Sequence, residues 1–286
     1  KISGFTAMLK AKQKPDISIG AHCSSPYTCD FKGQCWNEIP AKSVLNIIGL
    51  KAATKFAMHK AGIVAATDIP QDFPLKDGEV DLVRLLRENR DHMDAEPVRE
   101  FLDSLEYPLY FMDFETFQPA VPLFELSQPY QQIPFQYSLF RRKTKNAELE
   151  HFEFLAPPGA DPRQPFIETL LRDAGEQGTV LAYDQNFELT CLDTLAQMFP
   201  DRAEQVKLLA SRVKDLMLIF KKRQCFKPAT KGSYSLKEVL PAMVPDMSYT
   251  GLPIYSGVMA ASAYDKLQTE TDPAKIASAR KNLLEY

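Results

Sequence analysis

The stretch that most constrains this chain is Tyr107–Thr116, YPLYFMDFET. Its aromatic and aliphatic residues from Tyr107 to Met112 spell a buried strand. The strand ends on two carboxylates, Asp113 and Glu115. Residues i and i+2 of a strand share a face, so the two acids project together. Like charges held that close raise each other's pKa unless a cation lies between them. Hard divalent ions prefer carboxylate oxygens, which makes Mg²⁺ or Mn²⁺ the natural occupant. An Asp-x-Glu also occurs on solvated sheet edges, and this stretch alone leaves both readings open.

The cysteines form a second constellation. There are five, an odd number, and three fall within Cys23–Cys35. That argues against a secreted disulfide scaffold and for a reducing, cytoplasmic setting in which clustered thiols bind metal. Cys23, Cys29 and Cys35 are evenly spaced, and three thiolates on one loop can face a soft metal such as zinc or an iron–sulfur cluster. His22 would complete a Cys3His zinc set, although its adjacency to Cys23 makes joint ligation awkward. The plain alternative is three free or buried thiols. Cys191, Cys225, His59, His92 and His151 read as ordinary residues.

With 286 residues, the chain suits one large domain or two modest ones. No apolar run approaches the roughly 20 residues that span a membrane, and no leader pattern opens it. It begins on Lys1 and stops at Tyr286 inside a helix-like run, which reads as an excerpt of a longer protein. A net charge of −3 provides no broad positive field to gather nucleic acid. Polyanion contact would need local basic runs, Lys221-Lys222-Arg223 with Lys227 and Lys231, or Arg141-Arg142-Lys143 with Lys145. Each run is more often simply a solvated surface.

The organisation changes near residue 105. Before it, Ile2–Lys12 reads as a helix broken at Lys14–Pro15. Helical patterns cover Val44–Leu50, Ala52–Lys60 (with Gly62 as its stop), Val80–Glu88 and Val98–Leu105. KFAMHKAGIVAATDIP suits either a helix-hairpin-helix turn or a packing turn. Beyond it, strands are expected at Leu109–Phe114, Phe135–Arg141, His151–Leu155 and Thr179–Tyr183. Helices are expected at Arg163–Ala174, Phe187–Phe199, Ala203–Leu209, Leu236–Met243, Val258–Leu267 and Ala274–Tyr286. The spacing therefore predicts a helical cysteine module over 1–104 and an α/β domain over 105–286. Three adjacent strands followed by helix, strand and helix is the order of an RNase H-like mixed sheet flanked by helices, with its metal site at the end of the first, central strand.

A further acid stands in Thr179–Leu195, TVLAYDQNFELTCLDTL, where a short strand runs through a polar turn into a helix. Asn186 is a reasonable N-cap and Glu188 falls in the first turn, where the helix dipole already favours a carboxylate. Taken alone, Glu188 is capping support.

Together, these elements resemble the DnaQ-like, or DEDD, 3′–5′ exonucleases. Asp113-Phe114-Glu115-Thr116 resembles the family's first motif, whose Asp and Glu bind two catalytic metals. Tyr183–Glu188 resembles the second, usually His-Asn-x-x-Phe-Asp. Here Asp184 stands where Asn is common, and Glu188 replaces the usual Asp. Val213-Lys214-Asp215-Leu216 resembles the strand that follows, with Asp215 in a structural role, and Gly232–Lys237 the lead-in to a third motif, Tyr-x-x-x-Asp. Tyr286 matches that motif's tyrosine, which orients the attacking water; the fourth carboxylate would lie four residues further on. PYTCDFKGQCW, YPLYFMDFET, PYQQIPFQYSLF and YSLKEVLP together look like an uncharacterised bacterial family that joins a RecB-like Fe–S nuclease to a DnaQ-like domain. In RecB-type nucleases, three late cysteines join an early one around a [4Fe–4S] cluster.

The resemblance implies phosphodiester hydrolysis at the 3′ ends of single-stranded DNA or RNA by two ions about 4 Å apart. Asp113 would bridge the ions, Glu115 and Glu188 would each hold one, and Phe114 and Phe117 would wedge or stack the terminal nucleotide. The alternative is a catalytically incomplete nucleic-acid-binding or scaffold module of the same fold.

Overall fold

A computed structural model describes residues 2–11 and 16–286. The expected break at Lys14–Pro15, and Lys12 before it, lie outside the described residues. The chain divides into two compact units, Lys1–Arg90 with Lys231–Ser233, and Asp91–Thr230 with Tyr234–Tyr286.

The first unit carries α1 (Ile2–Ala11), α2 (Lys32–Cys35), α3 (Ala52–Lys60) and α4 (Glu79–Glu88), joined by short 3₁₀ turns. Its core is built from Val44, Leu45, Ile47, Leu50, Met58, Ile69, Leu82 and Leu85. Val44–Leu50 forms one 3₁₀ turn instead of the expected helix. Ser43 Oγ accepts from the Leu45 amide, and the Val44 amide donates to the Val64 carbonyl at 2.7 Å. That long-range bond closes a bridge between Ser43 and Ala65 and takes the backbone out of the helical ladder. Gly62, with φ +77°, ends α3 as expected.

Glu79 holds this unit's helix starts together. Its buried carboxylate accepts from the Lys51 and Lys76 amides and from Thr54 Oγ1. Burial pushes its pKa up, yet the hydrogen bonds from Lys51, Lys76 and Thr54 outweigh it and leave the carboxyl more acidic than usual.

The second unit contains, in order, β1 (His92–Met93), α5 (Ala95–Asp103), β2 (Leu109–Phe117), β3 (Ile133–Arg142), β4 (Leu149–Leu155), α6 (Arg163–Ala174), β5 (Thr179–Ala182), α7 (Asn186–Met198), α8 (Ala203–Ser211), β6 (Val213–Asp215), α9 (Met217–Lys221), β7 (Cys225–Phe226), α10 (Leu236–Met243), α11 (Gly257–Leu267) and α12 (Pro273–Glu285). It includes α5, which the sequence pattern had grouped with the helical module. β1 and β7 form a two-stranded antiparallel ladder.

The main sheet has five strands in the order β4-β3-β2-β5-β6. The first three are antiparallel neighbours, whereas β5 and β6 run parallel to β2. The unit is thus mixed α/β, with helices flanking one mixed sheet. Alternation along the strands divides their side chains. Tyr110, Met112 and Phe114 of β2, with Tyr137 and Leu139 of β3, pack against Phe166 and Leu170 of α6, Leu192 and Leu195 of α7 and Val206 of α8. Their sequence neighbours point the other way. Register sets Asp113 opposite Ser138 and Ser138 opposite Glu153; the row beside it is Phe111, Phe140 and His151.

A second core collects Phe117, Ile133, Phe135 and Leu155 with Tyr264 and Leu267 of α11 and Leu283 of α12. The Phe135 and Tyr264 rings stack with centroids 4.0 Å apart. A register shift between Glu115 and Thr116 marks a bulge in β2.

Candidate functional site

The site is opened by a difference in strand length. β5 pairs with Leu109–Phe111 of β2 and stops at Ala182, while β2 continues to Phe117 with only β3 beside it. A crevice beyond the carboxyl ends of parallel strands is where open α/β sheets bind ligands. Asp113 and Glu115 stand there.

The chain leaves β5 through Asp184, which adopts the left-handed conformation with φ 69°. Asn and Asp tolerate that region better than other side-chain-bearing residues. Asp215 pins the turn, its Oδ1 accepting from the Asp184 amide at 3.1 Å and the Met217 amide at 2.9 Å. Asp215 is therefore structural, as the sequence indicated. Asn186 is the first helical residue, not the N-cap; Gln185 precedes it, and no side chain caps α7. Glu188 follows in the first turn, only 2% exposed, and its Oε2 is buried without a hydrogen-bond partner. A buried orphan carboxylate oxygen is costly, and such groups call for an explanation.

Asp113, Glu115, Ser138, His151, Tyr249 and Tyr286 are among the residues lining a cleft of about 560 Å³. Asp113 is exposed at its surface, opening onto the cleft, although protein crowds its carboxyl from the sheet side. Burial raises its pKa to about 6. Glu115 is raised to about 8, chiefly by burial and then by the Asp113 charge, with Lys237 opposing. Glu188 is also raised to about 8: burial leads, its own backbone N–H opposes, and the charges of Asp113, Asp184 and Asp215 add to the rise. Asp113 thus acts on both other carboxyls, the arrangement expected of the central member of a triad.

Helix ends complete the walls. Gly257 opens α11 so close to Glu115 that a Cβ there would lie 3.3 Å from Oε2. Gln136 Nε2 donates to the Leu283 carbonyl at 2.7 Å, fixing the end of α12 on the sheet. Tyr286 follows, its hydroxyl pushed up by burial and by the charges of Glu115 and Asp113. Tyr249 is raised by burial and by the same two acids, and its ring lies 6.1 Å from that of Tyr286.

The structure therefore brings Asp113, Glu115, Glu188 and Tyr286 into one electrostatic neighbourhood. It does not bring the side chains to one point: among the described residues, no three His, Cys, Asp or Glu groups stand close enough to share an ion. The oxygen-only donor set and the orphan Oε2 are of the chemical kind that suits a hard divalent cation.

The cysteines are likewise not gathered. Cys23 is buried, Cys29 and Cys35 are half-buried, and all three are free thiols. The Cys29 amide donates to the Cys23 carbonyl at 3.0 Å, and His22 is exposed. The donor set suits a soft metal; the placement of the side chains does not assemble one.

One expectation is corrected. Phe114 and Phe117 are 3% and 1% exposed and cannot wedge a nucleotide. Strand alternation turns Phe114 onto Phe166, and Phe117 packs edge-on to Tyr264. Within the basic runs, Arg141 and Lys143 share Glu150, and Lys227 pairs with Asp91.

Sequence reasoning missed His151, Lys237 and Tyr249. His151 stacks on Phe140 at 4.1 Å and lies 3.0 Å from Ser138 Oγ; its alternation with Phe152 on β4 was the available signal. Lys237 stood in the quoted Ser-Leu-Lys string. Tyr249 lies in an irregular connection that no pattern marks.

A family profile described as a domain of unknown function (DUF2779) matches residues 110–235, from the start of β2 to the residue before α10. No curated protein and no solved structure matches the chain.

Proposed function

We propose that this chain carries a metal-dependent 3′–5′ exonuclease centre of the DnaQ-like type, on an RNase H-like sheet, acting on single-stranded DNA or RNA ends. The observation that carries the reading is the electrostatic triad, in which Asp113 acts on both Glu115 and Glu188 at the open end of the central strand. The strand order, with antiparallel strands on one side of β2 and parallel strands on the other, supports the fold assignment.

In this reading Asp113, Glu115 and Glu188 hold Mg²⁺ or Mn²⁺. When bound, such ions make water acidic enough to attack near neutral pH and offset charge on the leaving oxygen. The chain's own groups do the rest. Asp113, mounted on the central strand, sets where the acidic centre lies. Tyr286, half-buried and under the influence of both strand acids, orients the attacking water through its hydroxyl. Lys237 favours the ionised form of Glu115 before the metal enters. For Cys23, Cys29 and Cys35 the corresponding reading is a [4Fe–4S] or zinc site in the intact protein, tested by its iron, sulfide and zinc content.

Digestion of 5′-end-labelled single strands with Mn²⁺ by the full-length protein tests the centre. Stepwise 3′ shortening that Asp113→Ala reduces at least about a hundredfold supports it. Intact strands under all divalent metals would refute it. A second reading, a binding module that keeps the fold without turnover, is favoured because no three ligand groups converge among the described residues. Tight binding of single strands without shortening would establish that reading.

A further inference from the structure

Lys237 lies in the first turn of α10, and its ammonium serves three partners. Nζ donates to the Tyr255 carbonyl at 2.6 Å, lies 5.6 Å from the Tyr249 ring centroid, and acts by charge on Glu115. Tyr255 immediately precedes Ser256, whose Oγ caps α11 by accepting from the Met259 amide. Next comes Gly257, the residue that abuts the Glu115 carboxylate.

The connection between α10 and α11 is anchored near its far end by Ile254, which is buried in the second core; nearer α10 it makes local hydrogen bonds. The Met247 amide donates to the Val244 carbonyl, the Thr250 amide to Ser248 Oγ and the Leu252 amide to the Tyr249 carbonyl. All three bonds are local. Residues 244–248 are exposed, whereas Tyr249 is half-buried in the cleft. The ammonium at the near end of this segment grips the carbonyl at its far end. Charge-assisted bonds are the stronger kind, and an ammonium over an aromatic face adds attraction.

We propose that Lys237 is a positioning residue of the acidic cleft. By clasping residues 244–255 it holds Tyr249 beside Tyr286 as a cleft wall and sets the start of α11 against Glu115. The kinetic consequence rests on the nuclease reading above; the clasp itself does not.

Two readouts on the full-length protein test the clasp, comparing K237M with K237R, whose guanidinium keeps a charged donor. Chymotrypsin should cut K237M after Tyr249 and Tyr255 at least fivefold faster than wild type, with K237R within twofold. In Mn²⁺-dependent strand hydrolysis, K237M should lose at least tenfold in kcat with KM within twofold, and K237R should recover most of the loss. If K237M does not fold, K237Q against K237R makes the same comparison. Unchanged protease protection in the neutral variant, or equal losses in the neutral and arginine variants, would overturn the clasp. If wild type cuts no strand at all, the nuclease reading fails, and the protease comparison still decides the clasp.

Discussion

The Glu115 carboxylate lies against the first residue of α11, so that a Cβ on Gly257 would stand 3.3 Å from Oε2, a few tenths of an ångström closer than the carboxylate can easily tolerate. The backbone does not need glycine, because Gly257 has no left-handed φ. Ala suits a helix better than Gly by up to about 1 kcal/mol. Gly257→Ala should therefore leave the melting temperature unchanged or slightly raised while displacing the carboxylate. A shift well short of 1 Å at a reacting centre is felt, and a full ångström can cost about a hundredfold. The expected result is normal folding with Mn²⁺-dependent hydrolysis at least about tenfold slower. Wild-type turnover in this variant would show that Glu115 is not held at that spot.

Glu188 makes the complementary case. Its buried Oε2 has no partner, and burial holds the carboxyl near pKa 8. Glu188→Gln keeps the shape and removes the ionisable proton. Differential scanning at about pH 8 in chelator should show the Gln variant at least as stable as wild type, by up to about 1 kcal/mol. Metal should stabilise wild type alone. A clear drop in metal-free stability would mean that Glu188 has a structural partner.

The raised acids also give the metal-free protein a pH dependence of definite sign. Folded, it retains protons on Glu115 and Glu188 up to about pH 8 and on Asp113 up to about 6. Unfolded, it releases them near the ordinary carboxyl range, about 4. The folded state binds more protons in between, so stability falls as pH rises from about 4 to 8. Divalent metal needs the ionised carboxyls and should reverse the trend, stabilising more at about pH 8 than at about pH 6. Melting curves across that window, with chelator and with Mn²⁺, read the effect. Parallel curves would contradict it.

In the first unit the sign is opposite. Glu79 is more acidic than usual because the Lys51 and Lys76 amides and Thr54 bond its ionised form. Its contribution is present above the ordinary carboxyl pKa and is lost as pH falls through the lowered folded value. Glu79→Gln should cost about 1–3 kcal/mol, since it weakens charge-assisted bonds in a buried site. Urea titration followed by Trp36 fluorescence measures it. An unchanged midpoint would show that the two helix starts do not depend on this carboxylate.

Much of the second unit was legible because its main-sheet strands and several of its helices carry periodic apolar faces. Arg163–Ala174 and Leu236–Met243 carry that pattern from end to end, and the structure keeps those bounds. The central strand was read three residues short, because Glu115 and Thr116 interrupt the apolar run at the bulge. Val44–Leu50 failed for another reason: a bond to Val64, distant in sequence, won over helical propensity. Of the candidate site, Asp113 and Glu115 showed themselves by their i, i+2 spacing on a strand, whereas Glu188 was singled out only by the resemblance of its motif. The walls did not. Tyr249 and Lys237 matter through one ammonium reaching across an irregular segment, and such a closure leaves no periodic trace. Phe114 and Phe117 were misassigned because proximity to Asp113 in sequence said nothing of the face each ring would take.

The rows across β4, β3 and β2 carry a mechanical consequence. Asp113 is stitched by its own backbone into a ladder shared with Ser138 and Glu153, so its thermal excursions are those of the whole sheet. Glu188 rides on a helix whose approach is steadied by the two amides bound to Asp215. One acid is thus anchored to a stiff plate and the other to a short lever, and on the nuclease reading proposed above any adjustment to an incoming cation would fall to the lever.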